Sequence, residues 1–367
     1  MKKINFRRLC FLILIYSLVL SHGIDCYALC DEGSREETVD ALSDDVRVSS
    51  RLWELFFGAK GTDAKEARLV AIGGNVFGIK MNTAHPTVVS AEGNSLFRQG
   101  DVILAIGERE MHCNKDVEGV LDGCSGDVLT LSVARGGEEI KLCVKPILDS
   151  GKYRLGVTLR DSALGIGTVT YIDPESGCFG GLGHGVTDGE TGELVEMRGG
   201  DTSGVILGGV HRGECGKPGE LVGILTSEDV GDIYKNTDCG IFGVFSSEKY
   251  KSRRLVEVAD RSEVREGEAT IISTIKNGKE AEYKIEIYDI NYSSDGSKSF
   301  KIRVTDEALV AISGGIVRGM SGSPIIQNGK LIGAVTHVMI ANPREGYGIF
   351  IENMLSASES DAQPKAA

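Results

Sequence analysis

Short runs of alternating apolar and polar residues, separated by glycine-rich turns, dominate this chain after about residue 67. Residues 271–275 and 283–288 alternate in this way and are joined by Asn-Gly-Lys at 277–279. Residues 325–326 and 331–335 are joined by Gln-Asn-Gly-Lys at 327–330. An Asn-Gly pair between apolar runs is a strong hairpin signal. The pattern, with 49 glycines in 367 residues, predicts a mainly β protein with antiparallel sheets and tight turns.

A PDZ domain is the structure that residues 67–148 resemble. The run at 96–107 is the most PDZ-like, residues 114–121 predict a short helix, and 128–135 and 139–144 predict a hairpin. Phe77, Gly78 and Ile79 are predicted as the carboxylate-binding loop, whose backbone N–H groups capture a peptide C-terminus while the adjoining strand edge pairs with the peptide. The alternative is a module that only packs against its neighbour.

The segment Gly-Met-Ser-Gly-Ser-Pro at residues 319–324 is the main chemical motif. Glycines around a serine allow the sharp turn that exposes the hydroxyl of Ser321, and the N–H groups of Gly319 and Ser321 are then candidates for an oxyanion hole. The motif leads into an antiparallel hairpin, which is typical of a chymotrypsin-like barrel and not of an α/β-hydrolase. Taken alone, the motif is equally consistent with a polar turn.

A candidate general base comes from one of only six histidines. His184 lies in a run of small residues, Gly-Gly-Leu-Gly-His-Gly at 180–185, where an imidazole can approach a hydroxyl without hindrance. His184 precedes Ser321 in the chain, as the base precedes the nucleophile in chymotrypsin-like enzymes. His337 is interpreted as a core or substrate-groove residue. His211 is assigned to a surface loop because no second ligand pair has zinc spacing.

The acid that would orient the imidazole is not determined by the residues themselves. Nine aspartates lie between His184 and Ser321, and their spacing does not choose among them.

Residues 315–338 closely resemble the stage IV sporulation protein B family, PDZ-containing serine peptidases of endospore-forming bacteria. The glycine turn at His184 is also similar to that family's histidine motif. The resemblance implies a chymotrypsin-like double β-barrel with Ser321 as nucleophile, His184 as base and Asp306 as acid. Asp306 departs from the usual order, in which the acid lies nearer the histidine, so Asp188 stays as a weaker rival.

The resemblance also implies a sporulation signalling protease without a cofactor or metal. Such an enzyme is exported into the space between the forespore and mother-cell membranes, where it cleaves itself and a membrane-embedded regulator. Cleavage of the regulator releases an intramembrane protease that matures a late mother-cell sigma factor. Two alternatives remain: a quality-control protease of the high-temperature-requirement type, and a catalytically silent PDZ adaptor. The order of PDZ and protease argues against the first, and the intact motifs at Ser321 and His184 argue against the second.

Composition fits this prediction of an exported protein. Residues 1–30, with a basic flank and an apolar core from Leu9 to Leu20, predict a signal peptide or an N-terminal membrane anchor. A linker is expected at 31–66, the peptidase domain at 150–356, and a disordered tail at 357–367. The net charge of −13 disfavours nucleic acid as a partner. The nine cysteines show no dense disulfide framework.

Overall fold

The computed structural model describes residues 67–189, 192–246, 248–276 and 278–360. These residues belong to one compact unit. The predicted signal peptide or anchor at 1–30 and the linker at 31–66 lie outside the described residues. Within the described ranges, no helix combines the length and the apolar character needed to cross a bilayer.

A closed barrel of six strands forms the first half of the structure. Its strands pair in the order β2, β9, β10, β13, β12, β11, and the ladder between β2 and β9 closes the ring. Strands β1 and β14 extend the same sheet beside β9. The bounds are β1 (Leu69–Ile72), β2 (Val76–Ser90), β9 (Thr158–Ile172), β10 (Cys178–Gly181), β11 (Met197–His211), β12 (Glu220–Thr237), β13 (Gly240–Phe245) and β14 (Leu255–Glu257).

A second closed barrel follows, with strands in the order β15, β16, β17, β20, β19, β18. The bounds are β15 (Gly267–Lys276), β16 (Lys279–Tyr288), β17 (Phe300–Val304), β18 (Pro324–Gln327), β19 (Lys330–Met339) and β20 (Asn342–Phe350). Both predicted hairpins are present, and Asn328 and Gly329 turn the second one with φ of 52° and 80°. Two left-handed residues are what a tight two-residue hairpin needs. The prediction of a mainly β fold is confirmed.

In the part of the chain that the structure describes, the helices are few and short. Two of them flank the strands of the second barrel, where buried residues such as Leu309 and Met354 anchor them. The bounds are α1 (Asn114–Asp122), α2 (Glu307–Ser313) and α3 (Ile351–Glu359), with two 3-10 turns at Glu248–Ser252 and Arg261–Glu263.

A smaller module lies between β2 and β9 in the sequence. Its core of buried apolar side chains includes Phe97, Ile103 and Leu131. The predicted helix and the predicted hairpin are both found here, as α1 and as β5 with β6. The distal halves of β2 and β9 run on from the first barrel into this module. The remaining bounds are β3 (Val102–Ile106), β4 (Arg109–Glu110), β5 (Leu129–Arg135), β6 (Glu138–Val144), β7 (Ile147–Asp149) and β8 (Lys152–Arg154).

The predicted carboxylate-binding loop at Phe77, Gly78 and Ile79 is corrected by the structure. These residues lie inside β2 in the first barrel, paired with β9 on one side and with β11 on the other. Phe77 and Ile79 are buried in the core of that barrel. Because both edges of the strand are already paired, it offers no free N–H groups or strand edge to a peptide.

The predicted segment limits also change. The boundary near residues 148–150 does not separate the module from the barrels, because β1 and the first part of β2 belong to the first barrel. The predicted tail begins inside α3, which continues to Glu359. This helix end is held by an ion pair from Arg68 to Glu359 at 2.6 Å and by the Lys235 ammonium on the carbonyls of Ala357 and Ser360.

Candidate active site

The loop that carries Ser321 joins the residues after α2 to strand β18. Gly319 and Gly322 have φ of 95° and 93°, a region that favours glycine, so the chain can turn sharply on both sides of the serine. A Cβ at position 322 would lie 1.9 Å from the carbonyl oxygen of Thr168. The loop is therefore packed directly against strand β9 of the first barrel, at a distance that only glycine permits.

Alternate backbone amides in this loop are bonded. The N–H of Met320 donates to the carbonyl of Val317, and the N–H of Gly322 donates to the carbonyl of Val335. Within the described chain, the N–H groups of Gly319 and Ser321 have no hydrogen-bond acceptor. These are the two amides predicted for the oxyanion hole, and they are available to a developing negative charge.

Two buried threonines of β9 hold the loop from the other barrel. Thr168 donates its hydroxyl to the carbonyl of Gly319 at 2.8 Å, and its backbone N–H donates to the carbonyl of Ser321 at 2.9 Å. Thr170 donates its hydroxyl to the carbonyl of Gly322 at 2.8 Å. With their carbonyls fixed, the peptide planes of the loop are fixed as well. These threonines could not be identified from the sequence, since a threonine in a β run has no feature that marks this role.

His184 is carried by a turn between β10 and β11. Leu182 and Gly183 adopt left-handed φ of 64° and 68° in succession. A Cβ on Gly183 would lie 2.9 Å from the Cγ2 of Thr336, so the turn approaches strand β19 closely. This contact between the barrels brings the histidine to the strand that follows the serine.

The imidazole of His184 is oriented by a backbone carbonyl. Its Nδ1 lies 2.8 Å from the carbonyl oxygen of Gly185, and because a carbonyl only accepts, Nδ1 carries the proton. The lone pair therefore resides on Nε2, the nitrogen that a general base uses. Burial lowers the pKa of His184 below its usual 6.5, although the bond to Gly185 opposes that shift. The ring is neutral at pH 7.

A second imidazole, that of His337, lies beside the first. The ring centroids of His184 and His337 are 4.7 Å apart. Burial lowers the pKa of His337 to about 4, reinforced by repulsion from His184 when that ring is protonated and from Lys298. Its Nδ1 is buried without a hydrogen-bond partner in the described structure. His337 lines the groove that contains the serine, which is one of the two positions predicted for it.

Both barrels contribute to this groove, which has a volume of about 560 Å³. Apolar side chains form much of its wall, with Ser321, His184 and His337 among its polar residues. The Ser321 hydroxyl donates to the carbonyl of Thr336 at 2.7 Å. A groove with apolar walls and a few convergent polar groups is the usual form of a substrate site.

Asp306 does not join this group in the conformation described. Its Oδ1 accepts from the N–H groups of Ala308 and Leu309 at the start of α2, and its Oδ2 accepts from the N–H of Lys284 at 3.3 Å. Asp188, the rival acid, forms an ion pair with Arg160 at 3.1 Å. Neither aspartate contributes to the pKa shift of His184. The assignment of Asp306 as the triad acid stays a prediction, and here its carboxylate caps a helix.

The hydroxyl of Ser321, the unbonded amides of Gly319 and Ser321 and the imidazole of His184 thus belong to residues that line one groove formed by two β-barrels, which is the arrangement expected of a serine peptidase. Residues 151–355, more than half of the chain, match the family described as SpoIVB peptidase S55. The chain belongs to this family. A comparison with curated proteins finds no match.

Among solved structures, similarity is found to an inactive form of the Rv3671c protease, at 12% identity over 52% of this chain and 82% of that one, with a TM-score of 0.30. An alanine mutant of Rv3671c from M. tuberculosis H37Rv is also similar, at 11% identity over 54% of this chain and 85% of that one, with the same TM-score. The HtrA-type protease AlgW with a decapeptide is similar at 9% identity, over 78% of this chain and 63% of that one, with a TM-score of 0.33.

Proposed function

We propose that this protein is a serine endopeptidase in which Ser321 and His184 act as a dyad. The observation that carries the proposal is the pair of unbonded amides at Gly319 and Ser321 in the same groove as a neutral His184. Donors that are fixed before the reaction supply the largest single stabilisation in acyl transfer, typically about 3 kcal/mol for each donor. We propose these two amides as the oxyanion hole.

Ser321 Oγ attacks the carbonyl carbon of the scissile bond while Nε2 of His184 accepts the hydroxyl proton. The carbonyl oxygen becomes an oxyanion and accepts from the amides of Gly319 and Ser321. When the intermediate collapses, the C–N bond breaks and the amine leaves with the proton from Nε2. Water then attacks the acyl ester by the same route, releases the acid and restores the serine.

One rearrangement precedes this chemistry. The Ser321 hydroxyl donates to the carbonyl of Thr336, and it must leave this acceptor to donate to Nε2 of His184. The bond from His184 Nδ1 to the Gly185 carbonyl needs no change, because it already selects the tautomer that the base requires. In this conformation, the carbonyl of Gly185 serves the orienting function that the family resemblance gives to Asp306.

Family membership supports a signalling role for the enzyme. We propose that the protein is exported and acts between the forespore and mother-cell membranes, held transiently by its N-terminal segment or released from it. Its substrates there are its own chain and a membrane-embedded regulator. Cleavage of the regulator releases an intramembrane protease, which matures a late mother-cell sigma factor.

The inserted module is proposed to bind peptide at a different place from the one predicted. A groove of about 620 Å³ lies between α1 and residues 152–159, with Val117, Leu121 and Leu155 among its walls. A peptide added along this segment would have its C-terminal carboxylate near the turn at Gly156. The test is fluorescence anisotropy with a peptide acid and the same peptide amidated. A charge-assisted bond predicts about tenfold tighter binding of the acid, and equal binding would contradict the proposal.

The catalytic proposal is tested with three forms of the full chain: wild type, Ser321→Ala and Ser323→Ala. Ser323 is a matched control from the same motif, because its hydroxyl is buried and has no hydrogen-bond partner in the described structure. We expect wild type and Ser323→Ala to react with a fluorophosphonate and to trim their own N-terminal segments. Ser321→Ala should do neither.

Each other result has a clear meaning. Equal trimming by all three forms without labelling would assign the cleavage to another enzyme and favour the adaptor alternative. Loss of labelling in Ser323→Ala alone would identify Ser323, and not Ser321, as the nucleophile. Degradation of unfolded casein at a rate similar to self-cleavage would favour a quality-control protease over a signalling one.

A further inference from the structure

A β-bulge in strand β2 marks a second group of side chains, outside the residues that line the catalytic groove. The ladder between β2 and β9 pairs Asn82 with Ser162 and resumes with Thr87 opposite Arg160, so residues 83–86 face the single residue 161. Pro86 lacks an N–H and fits such an interruption. The bulge is fixed by the Thr83 hydroxyl, which donates to the carbonyl of His85 at 2.8 Å. His85 is therefore held outside the regular ladder.

His112 approaches His85 from the module. Its backbone is positioned by the capping box at the N-terminus of α1, where the N–H of His112 donates to the carboxylate of Asp116 at 3.0 Å. The two imidazole rings are stacked, with centroids 5.7 Å apart and planes at 25°. Glu110, at the end of the short strand β4, has its Oε2 3.7 Å from the Nε2 of His112. One ligand atom from each of these three residues lies within 4.8 Å of the other two.

The tautomer of His85 leaves one ring nitrogen able to bind a metal ion. Its Nδ1 lies 2.7 Å from the carbonyl oxygen of Met111, so Nδ1 donates and Nε2 keeps its lone pair. A bond from the second ring nitrogen to a backbone carbonyl is the usual outer-shell arrangement of a metal-binding histidine. The side chains of His112 and Glu110 are 41% and 66% exposed, so an ion can enter from solution.

We propose that His85, His112 and Glu110 bind a Zn²⁺ ion through two imidazole nitrogens and one carboxylate oxygen, with water as the fourth ligand. Two imidazoles and one carboxylate are a common zinc donor set, whereas Ca²⁺ and Mg²⁺ prefer oxygen ligands alone. Zn–N bonds of about 2.0–2.1 Å place ligand atoms about 3.3 Å apart. Small side-chain rotations therefore close the site. The ion would clamp the bulge of β2, a barrel strand, to the start of α1 in the module.

The binding test uses the full chain carrying Ser321→Ala, so that self-cleavage does not intervene. Zn²⁺ affinity is measured by competition with a chromogenic chelator for this parent and for His85→Ala, His112→Gln and Glu110→Gln. His211→Ala is the matched control, because His211 is a 70% exposed histidine that also pairs with a glutamate, Glu220, at 3.0 Å. Loss of one ligand should weaken binding about tenfold or more, since even outer-shell changes have effects of that size.

Thermal unfolding and cobalt spectra complete the test. Zn²⁺ should raise the Tm of the parent and of His211→Ala but not that of His85→Ala or His112→Gln, while all forms should unfold at similar temperatures in EDTA. Co²⁺ should give a tetrahedral spectrum without thiolate charge-transfer bands. Equal Zn²⁺ affinity in all five forms, or thiolate bands from cysteine ligands, would overturn the proposal. If His85→Ala does not fold, His112→Gln and Glu110→Gln carry the same comparison.

Discussion

Replacing Asp306 separates two roles for this residue, helix cap and triad acid. Asp306→Asn retains an oxygen that can accept from Ala308 and Leu309, and asparagine is about as good an N-cap as aspartate. The substitution loses the negative charge at the helix N-terminus, worth about 0.3–1 kcal/mol, and the long bond from Lys284. We expect a loss of unfolding free energy of about 1 kcal/mol and a kcat/KM close to that of wild type.

The same substitution has a much larger expected effect if Asp306 is the acid. In a Ser-His-Asp triad, asparagine in place of the acid favours the wrong histidine tautomer and lowers kcat about 10⁴-fold. The assay is kcat/KM on a fluorogenic peptide, with the rate of fluorophosphonate labelling and urea unfolding measured on the same samples. Asp306→Ala is the companion variant. It removes the cap entirely, and it should lower the unfolding free energy by about 1–2 kcal/mol.

The relative effects of Asp306→Asn and Asp306→Ala on unfolding free energy and on kcat/KM distinguish the capping role from the catalytic one. A capping role predicts that alanine is more harmful than asparagine and that both act through stability. A fall of more than about a hundredfold in kcat/KM for a folded Asp306→Asn protein would refute the capping interpretation and establish that the active enzyme adopts a conformation in which the carboxylate reaches His184.

Three further predictions concern the groove. The acid limb of the kcat/KM profile should lie below pH 6.5, because burial lowers the pKa of His184 and activity is lost only as pH falls through that lowered value; a limb at or above 6.5 would show that the base is exposed or is another group. Thr168→Val should lower the unfolding free energy by about 1–3 kcal/mol and slow labelling of Ser321, since the carbonyl of Gly319 loses its donor; Thr168→Ser is the control and should behave as wild type in both measurements. The pKa of His337 is about 4 in the folded chain and 6.5 in the unfolded chain. Between these pH values only the unfolded chain takes up the proton, so stability falls as pH drops. His337→Phe should make the urea unfolding midpoint less dependent on pH in this range, and an unchanged pH dependence would count against this prediction.

Local sequence patterns were sufficient to predict the elements that depend on neighbouring residues. The hairpin turn at Asn328 and Gly329 follows from the left-handed conformation that these two residues tolerate. The glycines that flank Ser321 predict a sharp turn for the same reason. The sequence alone thus led to the serine loop, its hairpin and the helix of the module.

Features that depend on distant pairing could not be read from the sequence. Phe77, Gly78 and Ile79 form a glycine-containing apolar run that is equally suited to a ligand loop and to a barrel strand, and pairing with β9 and β11 decides between them. The orienting partner of His184 is a backbone carbonyl, which every residue possesses. Asp306 follows a strand of alternating apolar and polar residues, and only the position of α2 in the structure shows that its carboxylate caps a helix.

The bond from the Thr168 amide to the Ser321 carbonyl joins residues 153 positions apart, and it has a consequence for biogenesis. A nascent chain on the ribosome, or one threaded through a translocation pore, holds Thr168 and His184 long before Ser321 has emerged. In such a chain the contacts between β9 and the serine loop cannot yet form, because the loop and the second barrel have not been made. The ordered form of the serine loop can therefore arise only after residue 321 and the strands that follow it have been synthesised.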